Sequence, residues 1–223
     1  MTKYNININN QEVGRYFTCL FDHLTQAAVT TASGQSLQLA DAVKQCIADA
    51  RRAHAAGNKL IFVGNGGSAA IASHMATDFS KNGHIRSLAL NDSAMVTCLS
   101  NDLGYDQVFA KQIGMYARHG DILVAISSSG RSANIINAVQ AARAARCGII
   151  TFSGFDHDNP LRSLGNINFY VDSDRYGFVE IAHLTLCHAI LDFICGLHFR
   201  ENGYAAATTR ENNSTRAKAR DAR

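Results

Sequence analysis

Residues 121–148, DILVAISSSGRSANIINAVQAARAARCG, decide the fold. Ile122 to Ile126 make a short unbroken apolar run, as in a strand covered on both faces. Serines and a glycine fill the turn that follows. From Ser132 the pattern is that of a helix, and Gly148 stops it. Strand, tight turn and helix recur on either side. KLIFVGNGG (59–67) is another apolar strand ending in glycines, with SAAIASHMATDFSKNG (68–83) as its helix. SLAL (87–90), IITFSG (149–154) and INFYV (167–171) read as strands. SAMVTCLSND (93–102), YDQVFAKQIGMYARHG (105–120) and GFVEIAHLTLCHAILDFICGL (177–197) read as helices. Apolar strands alternating with helices predict an α/β protein: a doubly wound parallel sheet flanked by helices, with right-handed crossovers. Ligands in such sheets bind at the carboxyl ends of the strands.

The residues before the first strand differ. Val13, Tyr16, Phe17, Leu20, Leu24 and Ala28 recur at helical spacing over 11–31, and Leu37, Ala40, Val43, Ile47 and Ala50 over 35–57. Residues 1–57 are therefore expected to form a helical arm that packs on the domain or on a neighbouring subunit. The α/β domain spans 58–200. Residues 201–223, ENGYAAATTRENNSTRAKARDAR, have no apolar period and are expected to be a disordered basic tail.

Composition removes several classes. The 223 residues are 47% hydrophobic and 17% charged, with a single proline, Pro160, which excludes a disordered or collagen-like chain. The net charge of +3 owes much to Arg210, Arg216, Lys218, Arg220 and Arg223, so the folded part is near neutral. That suits a small anionic ligand better than a nucleic acid. Six cysteines without a C-x-x-C pair read as reduced core residues of a cytoplasmic protein. MTKYNININNQEVG is too polar for a signal peptide, and no apolar run approaches the ~20 residues of a membrane span.

Two turns suit a phosphate. ISSSGRSANI (126–135) brings Ser127, Ser128, Ser129 and Ser132 to a helix start, where unpaired N–H groups carry partial positive charge. Hydroxyls and a helix N-terminus can hold a phosphate monoester without a lysine; an ordinary helix cap would look the same. GNGGSA (64–69) matches the dinucleotide pattern G-x-G-x-x-A, but Asp92 reads as part of a turn rather than as the ribose-binding acid. No P-loop motif exists. Two Gly/Ser loops without lysine favour a sugar phosphate over a nucleotide.

Acid–base and metal groups lie nearby in sequence. His74 and Asp78, four apart, share a helix face and make half a metal site or a plain hydrogen bond. Glu180 and His188 lie eight apart on the closing helix, about 12 Å of rise. Their convergence on one ion is possible, and spacing does not separate them from His183 and Asp192.

With GNGGSA, SNDLGYDQVF (100–109), ISSSGRSANI and VEIAHLTLCHAIL (179–191) in this order, the chain resembles the SIS (sugar isomerase) domain family, above all its phosphoheptose isomerases. The resemblance runs from about Lys59 to Leu197. It implies a phosphate cradle of Ser127, Ser128, Ser129 and Ser132 with Ser68, and substrate contacts at Asn65, Gly66, Gly67, Asn101, Asp102 and Glu180. It implies one zinc ion per subunit on His74, Asp78, Glu180 and His188, with Asp78 and His188 as the acid–base pair. The expected reaction is aldose–ketose isomerisation of sedoheptulose 7-phosphate to glycero-manno-heptose 7-phosphate, a surface-polysaccharide precursor, by a cytoplasmic homotetramer. No membrane or nucleic-acid partner is expected. The family usually carries Glu at position 78 and Gln at 180. Asp78 withdraws the carboxylate by a methylene, and Glu180 adds a negative charge. These departures keep two other readings open: another sugar phosphate as substrate, or a non-catalytic relative that binds the replication initiator. A phosphosugar-sensing regulator has less support, since no DNA-reading domain is attached.

Overall fold

The computed structural model describes residues 8–200 and 203–205. One seven-stranded sheet organises the chain. Five strands are parallel: β3 (Leu60–Val63), β4 (Ser87–Ala89), β5 (Ile122–Ser127), β6 (Gly148–Ser153) and β7 (Ile167–Tyr170). The two before them, β1 (Ala28–Thr31) and β2 (Ser36–Leu37), form a hairpin whose β1 runs antiparallel to β7. The order is β2-β1-β7-β6-β5-β3-β4.

The hairpin corrects the expected helical arm. The first helix, α1 (Asn10–Thr25), ends before Ala28, and the next, α2 (Leu39–Ala55), starts after the hairpin. Helical spacing continues on paper to Ala28. Val29, Thr30 and Thr31 are β-branched, however, and Val29 is buried in the sheet. Residues 1–57 thus include two strands of the main sheet. At its start α1 has a capping box: Asn9 accepts from the Glu12 N–H, and Glu12 accepts from the Asn9 N–H, both at 3.0 Å.

Helices cover both faces. Along β3, Leu60 and Phe62 face one core with α2, α3 (Gly67–Lys81) and α7 (Tyr176–Ile194). Ile61 and Val63 face the other, with α4 (Ser93–Leu103), α5 (Val108–Tyr116) and α6 (Ala133–Ala144). This alternation on a fully buried strand is the signature of a doubly wound sheet. The chain passes from β3 to β4 on one side and then to β5 on the other, so the crevice between the β3 and β5 ends is the switch point of the topology.

Three further expectations meet the structure. α7 is long and apolar enough to cross a membrane, with a mean hydropathy of 1.5, although no such run was expected. Here it is a core helix, burying Val179, Ala182, His183, Leu186, Cys187, Ile190, Leu191 and Ile194. Of the cysteines, only Cys46 and Cys187 are buried; Cys19, Cys98 and Cys195 are exposed, and all six are free. The tail expectation lies largely outside the described residues. Within it, β9 (Gly203–Ala205) pairs with β8 (His198–Arg200).

Candidate active site

Two helix N-termini meet at the switch point. β3 ends at Val63, and Gly66 takes φ +54°, the left-handed region that favours glycine, to start α3 without a side-chain cap. β5 ends at Ser127, and Gly130 takes φ +60° before Ser132 starts α6, again with no side-chain cap bond. The opening N–H groups of a helix have no helical partner; in these two turns Ala69 and Ile135 already donate to the Gly66 and Ser132 carbonyls, both at 3.0 Å. Between them lies a cavity of about 250 Å³, lined by Asn65, Gly66, Gly67, Ser68, the serines Ser127, Ser128, Ser129 and Ser132, and Tyr176 and Glu180 from α7.

Within the serine loop the hydroxyls have different duties. Ser127 Oγ accepts from the Gly130 N–H at 3.2 Å and lies 3.5 Å from Ser132 Oγ. Ser129 Oγ accepts from the Arg131 N–H at 3.3 Å. Ser128 Oγ is buried and has no partner. A buried hydroxyl without a partner is costly, and this one belongs to a residue that lines the cavity.

A second cluster forms seven to eight residues further along the same helices. His74 Nε2 of α3 is 3.2 Å from His188 Nε2 of α7 and 3.6 Å from Asp78 Oδ2. The ligand atoms of the three all lie within 4.8 Å of one another. Zinc bonds of about 2.0–2.1 Å in a tetrahedron place neighbouring ligand atoms roughly 3.3 Å apart. Two imidazoles and a carboxylate at this spacing fit a zinc ion with a fourth position open.

Glu180 is not part of that trio. Its carboxylate rests on Gly67, where a Cβ would overlap both oxygens, and it faces the serine cavity. The structure therefore brings it to the serine cavity and not to the two histidines. Asn101 and Asp102, at the end of α4, are exposed and bonded to each other at 2.9 Å, outside the cavity lining. Asn65 lines the cavity, but its amide is engaged: it exchanges two 2.9 Å bonds with Asn134, and its Oδ1 also accepts from Tyr105 Oη. Tyr105, Asn134 and Tyr176 were not singled out in the sequence. The first two lie inside motifs that were, SNDLGYDQVF and ISSSGRSANI. Tyr176 precedes its motif and carried no signal.

His183 is a structural group. It is fully buried, its Nε2 is 3.0 Å from the Ser153 carbonyl oxygen, and its Nδ1 has no partner. Burial pushes its pKa from the ordinary 6.5 down to about 4, only partly offset by the backbone hydrogen bond.

Residues 22–154 match the SIS domain family. A phosphoheptose isomerase of Nitratidesulfovibrio vulgaris is 37% identical over 153 residues, which cover 65% of this chain and 71% of that one. One from Citrifermentans bemidjiense is 32% identical over 163 residues, covering 70% and 84%. The solved structure of phosphoheptose isomerase GmhA from Neisseria gonorrhoeae is similar with a TM-score of 0.70 at 30% identity, covering 82% of this chain and 98% of that one.

Proposed function

The chain belongs to the SIS domain family and is a sugar phosphate isomerase of the aldose–ketose type; we propose that its substrate is sedoheptulose 7-phosphate. One observation carries the choice of substrate. α3 and α7 each contribute to the serine cavity near their starts, at Gly67 and Glu180, and to the trio at His74 and His188. Seven or eight helical residues span about 10–12 Å at ~1.5 Å each. An extended seven-carbon chain with a terminal phosphate has eight bonds from C1 to phosphorus and reaches about 10 Å, since each bond of ~1.5 Å advances roughly 1.25 Å along a zigzag. The phosphate seated at the α6 start leaves C1 and C2 at the trio.

In this reading the serines fix the far end of the substrate, and that remote binding energy holds the reacting carbons in place. Asp78 takes a proton from C1, next to the C2 carbonyl, while His188 gives one to the C2 oxygen, and an enediol results. Return of the proton from Asp78 to C2 and loss of the O1 proton to His188 give glycero-manno-heptose 7-phosphate. His74, Asp78 and His188 would hold zinc, with a fourth position left open. A zinc ion bound there supplies Lewis acidity toward the carbonyl oxygen. We place the reaction in the cytoplasm, as a step toward surface-polysaccharide heptose.

The test follows aldose formation from sedoheptulose 7-phosphate by NMR, with zinc-loaded and chelator-treated protein. Conversion is expected only with metal, and zinc is expected to raise the melting temperature of the wild type but not of His188→Ala. No conversion by folded, zinc-loaded protein rejects this substrate. Equal thermal shifts in the two proteins reject the metal site.

The chain is also read as a homo-oligomer, a tetramer by resemblance. One side of α1 packs on α7, with the Tyr16 and Phe178 rings 4.7 Å apart. The other leaves Val13, Phe17 and Phe21 exposed, a stripe at intervals of four. A second copy of the chain would cover it. Phe17→Glu with Phe21→Glu is expected to give a smaller species by light scattering; an unchanged mass rules α1 out of the interface.

A further inference from the structure

The serine loop does not hold its shape alone. The segment after β6 touches it at several points. The Gly154 N–H donates to the Ser128 carbonyl at 2.9 Å, and the Leu161 N–H to the Gly130 carbonyl at 3.2 Å. Arg131 donates from Nε to Asp156 at 3.2 Å and from Nη2 to Asp158 at 2.6 Å. The side chain of Asn159 lies against Gly130 so closely that a Cβ there would overlap Asn159 Oδ1.

Asn159 is the centre of this segment and is 3% exposed. Its Nδ2 shares its hydrogens among the carbonyls of Gly154 (3.0 Å) and Asp156 (2.8 Å) and Ser153 Oγ (3.4 Å). Its Oδ1 accepts from the Arg162 N–H at 3.1 Å. One side chain thus ties the end of β6 to the short 3-10 turn Pro160–Ser163 and fixes the wall on which Gly130 rests. Arg131, the cation of the serine loop, is turned outward to the two aspartates and does not line the cavity. The loop offers the ligand neutral donors alone, whose aim depends on backbone position more than a long flexible cation would.

We propose that Asn159 is a positioning residue for the substrate phosphate: through Gly130 it holds the serine loop in the shape that presents Ser128 Oγ and the α6 N-terminus to the ligand. This rests on the serine cavity being the phosphate seat. Truncating Asn159 takes the side-chain donor from the buried Gly154 carbonyl, while the Asp156 carbonyl keeps the backbone N–H of residue 159, and removes the wall behind Gly130. The expected signature is confined to phosphate affinity.

The experiment uses the zinc-loaded full chain and inorganic phosphate as probe, by calorimetry and as a competitive inhibitor of turnover. Asn159→Ala is expected to weaken phosphate binding and raise KM by about tenfold, with kcat little changed and the far-UV spectrum unaltered. Equal phosphate affinity in folded Asn159→Ala overturns the proposal. A fall in kcat with unchanged phosphate affinity does so too. Should Asn159→Ala not fold, a double-mutant cycle between Gly130→Ala and Asn159→Ser decides. The smaller serine makes room for the new methyl, so the double variant is expected to recover part of the phosphate affinity lost in Gly130→Ala. Strict additivity overturns the proposal. A wild type that binds no phosphate rejects the seat itself. A wild type that binds it no better than the variant rejects only the role of Asn159.

Discussion

Asp78→Asn is expected to lower kcat by about 10²- to 10⁴-fold, the range of a lost general base, and to leave the affinity for inorganic phosphate unchanged. The amide has the carboxylate's shape but cannot take a proton. It also removes the one anion from a trio whose other members are imidazoles. The proposed phosphate seat lies at the starts of α3 and α6, turns away from position 78, so phosphate binding should not respond. Asp78→Glu restores the missing methylene and is expected to keep activity. Steady-state kinetics on zinc-loaded variants, beside phosphate inhibition, make the comparison. Unchanged turnover in Asp78→Asn removes the residue from the mechanism.

The second large effect concerns stability in acid. His183 is neutral in the folded protein, with a pKa near 4 against 6.5 when exposed. The unfolded chain therefore binds more protons between these values, and stability falls as pH falls. The contribution is complete above about pH 6.5 and is lost progressively toward pH 4. At 1.36 kcal/mol per pKa unit the loss amounts to about 3 kcal/mol. Urea unfolding of metal-free protein at pH 7 and pH 4.5 measures it. His183→Leu, which cannot titrate, is expected to show a smaller drop between the two pH values than the wild type. Equal drops assign the acid sensitivity to other groups.

Much of the architecture could be read from the sequence because its units are local. In 121–148 a buried strand, a serine turn and a helix follow one another within one stretch, and each has its own periodicity. The β1–β2 hairpin was hidden for the opposite reason. Its partner β7 lies far along the chain, pairing Val29 with Phe169, and helical spacing up to Ala28 concealed the β-branched run behind it. α7 reads as a helix from the sequence, but not as one apolar enough to cross a membrane, because Glu180, His183, His188 and Asp192 interrupt it on paper. Three of these four are site candidates or a buried hydrogen-bonded group.

The site was legible where one loop makes it and obscure where helices meet. Four serines around one glycine mark a candidate anion cradle by composition alone, although an ordinary helix cap would look the same. Spacing along a helix gives rise and rotation but not the neighbour across the interface. His74 and Asp78 could be paired from sequence, while the approach of His188 depends on how α7 packs on α3. The same packing sends Glu180 to Gly67, a destination no count of residues reveals. Asn65 shows a further limit: its place in the glycine turn marks it as a contact residue, yet its amide is engaged by Asn134 and Tyr105.

The position of α7 in the chain has a consequence for biosynthesis. It supplies eight buried residues to the core it shares with α2 and α3, and it follows every strand of the main sheet. While the ribosome is still adding those residues, one face of an already translated sheet lacks a third of its helical cover. Phe152 and Phe169, stacked 4.8 Å apart on that face, stay open to other nascent chains until Ile194 has emerged. The core on this face can close only late in translation, once α7 is available to pack on α2 and α3.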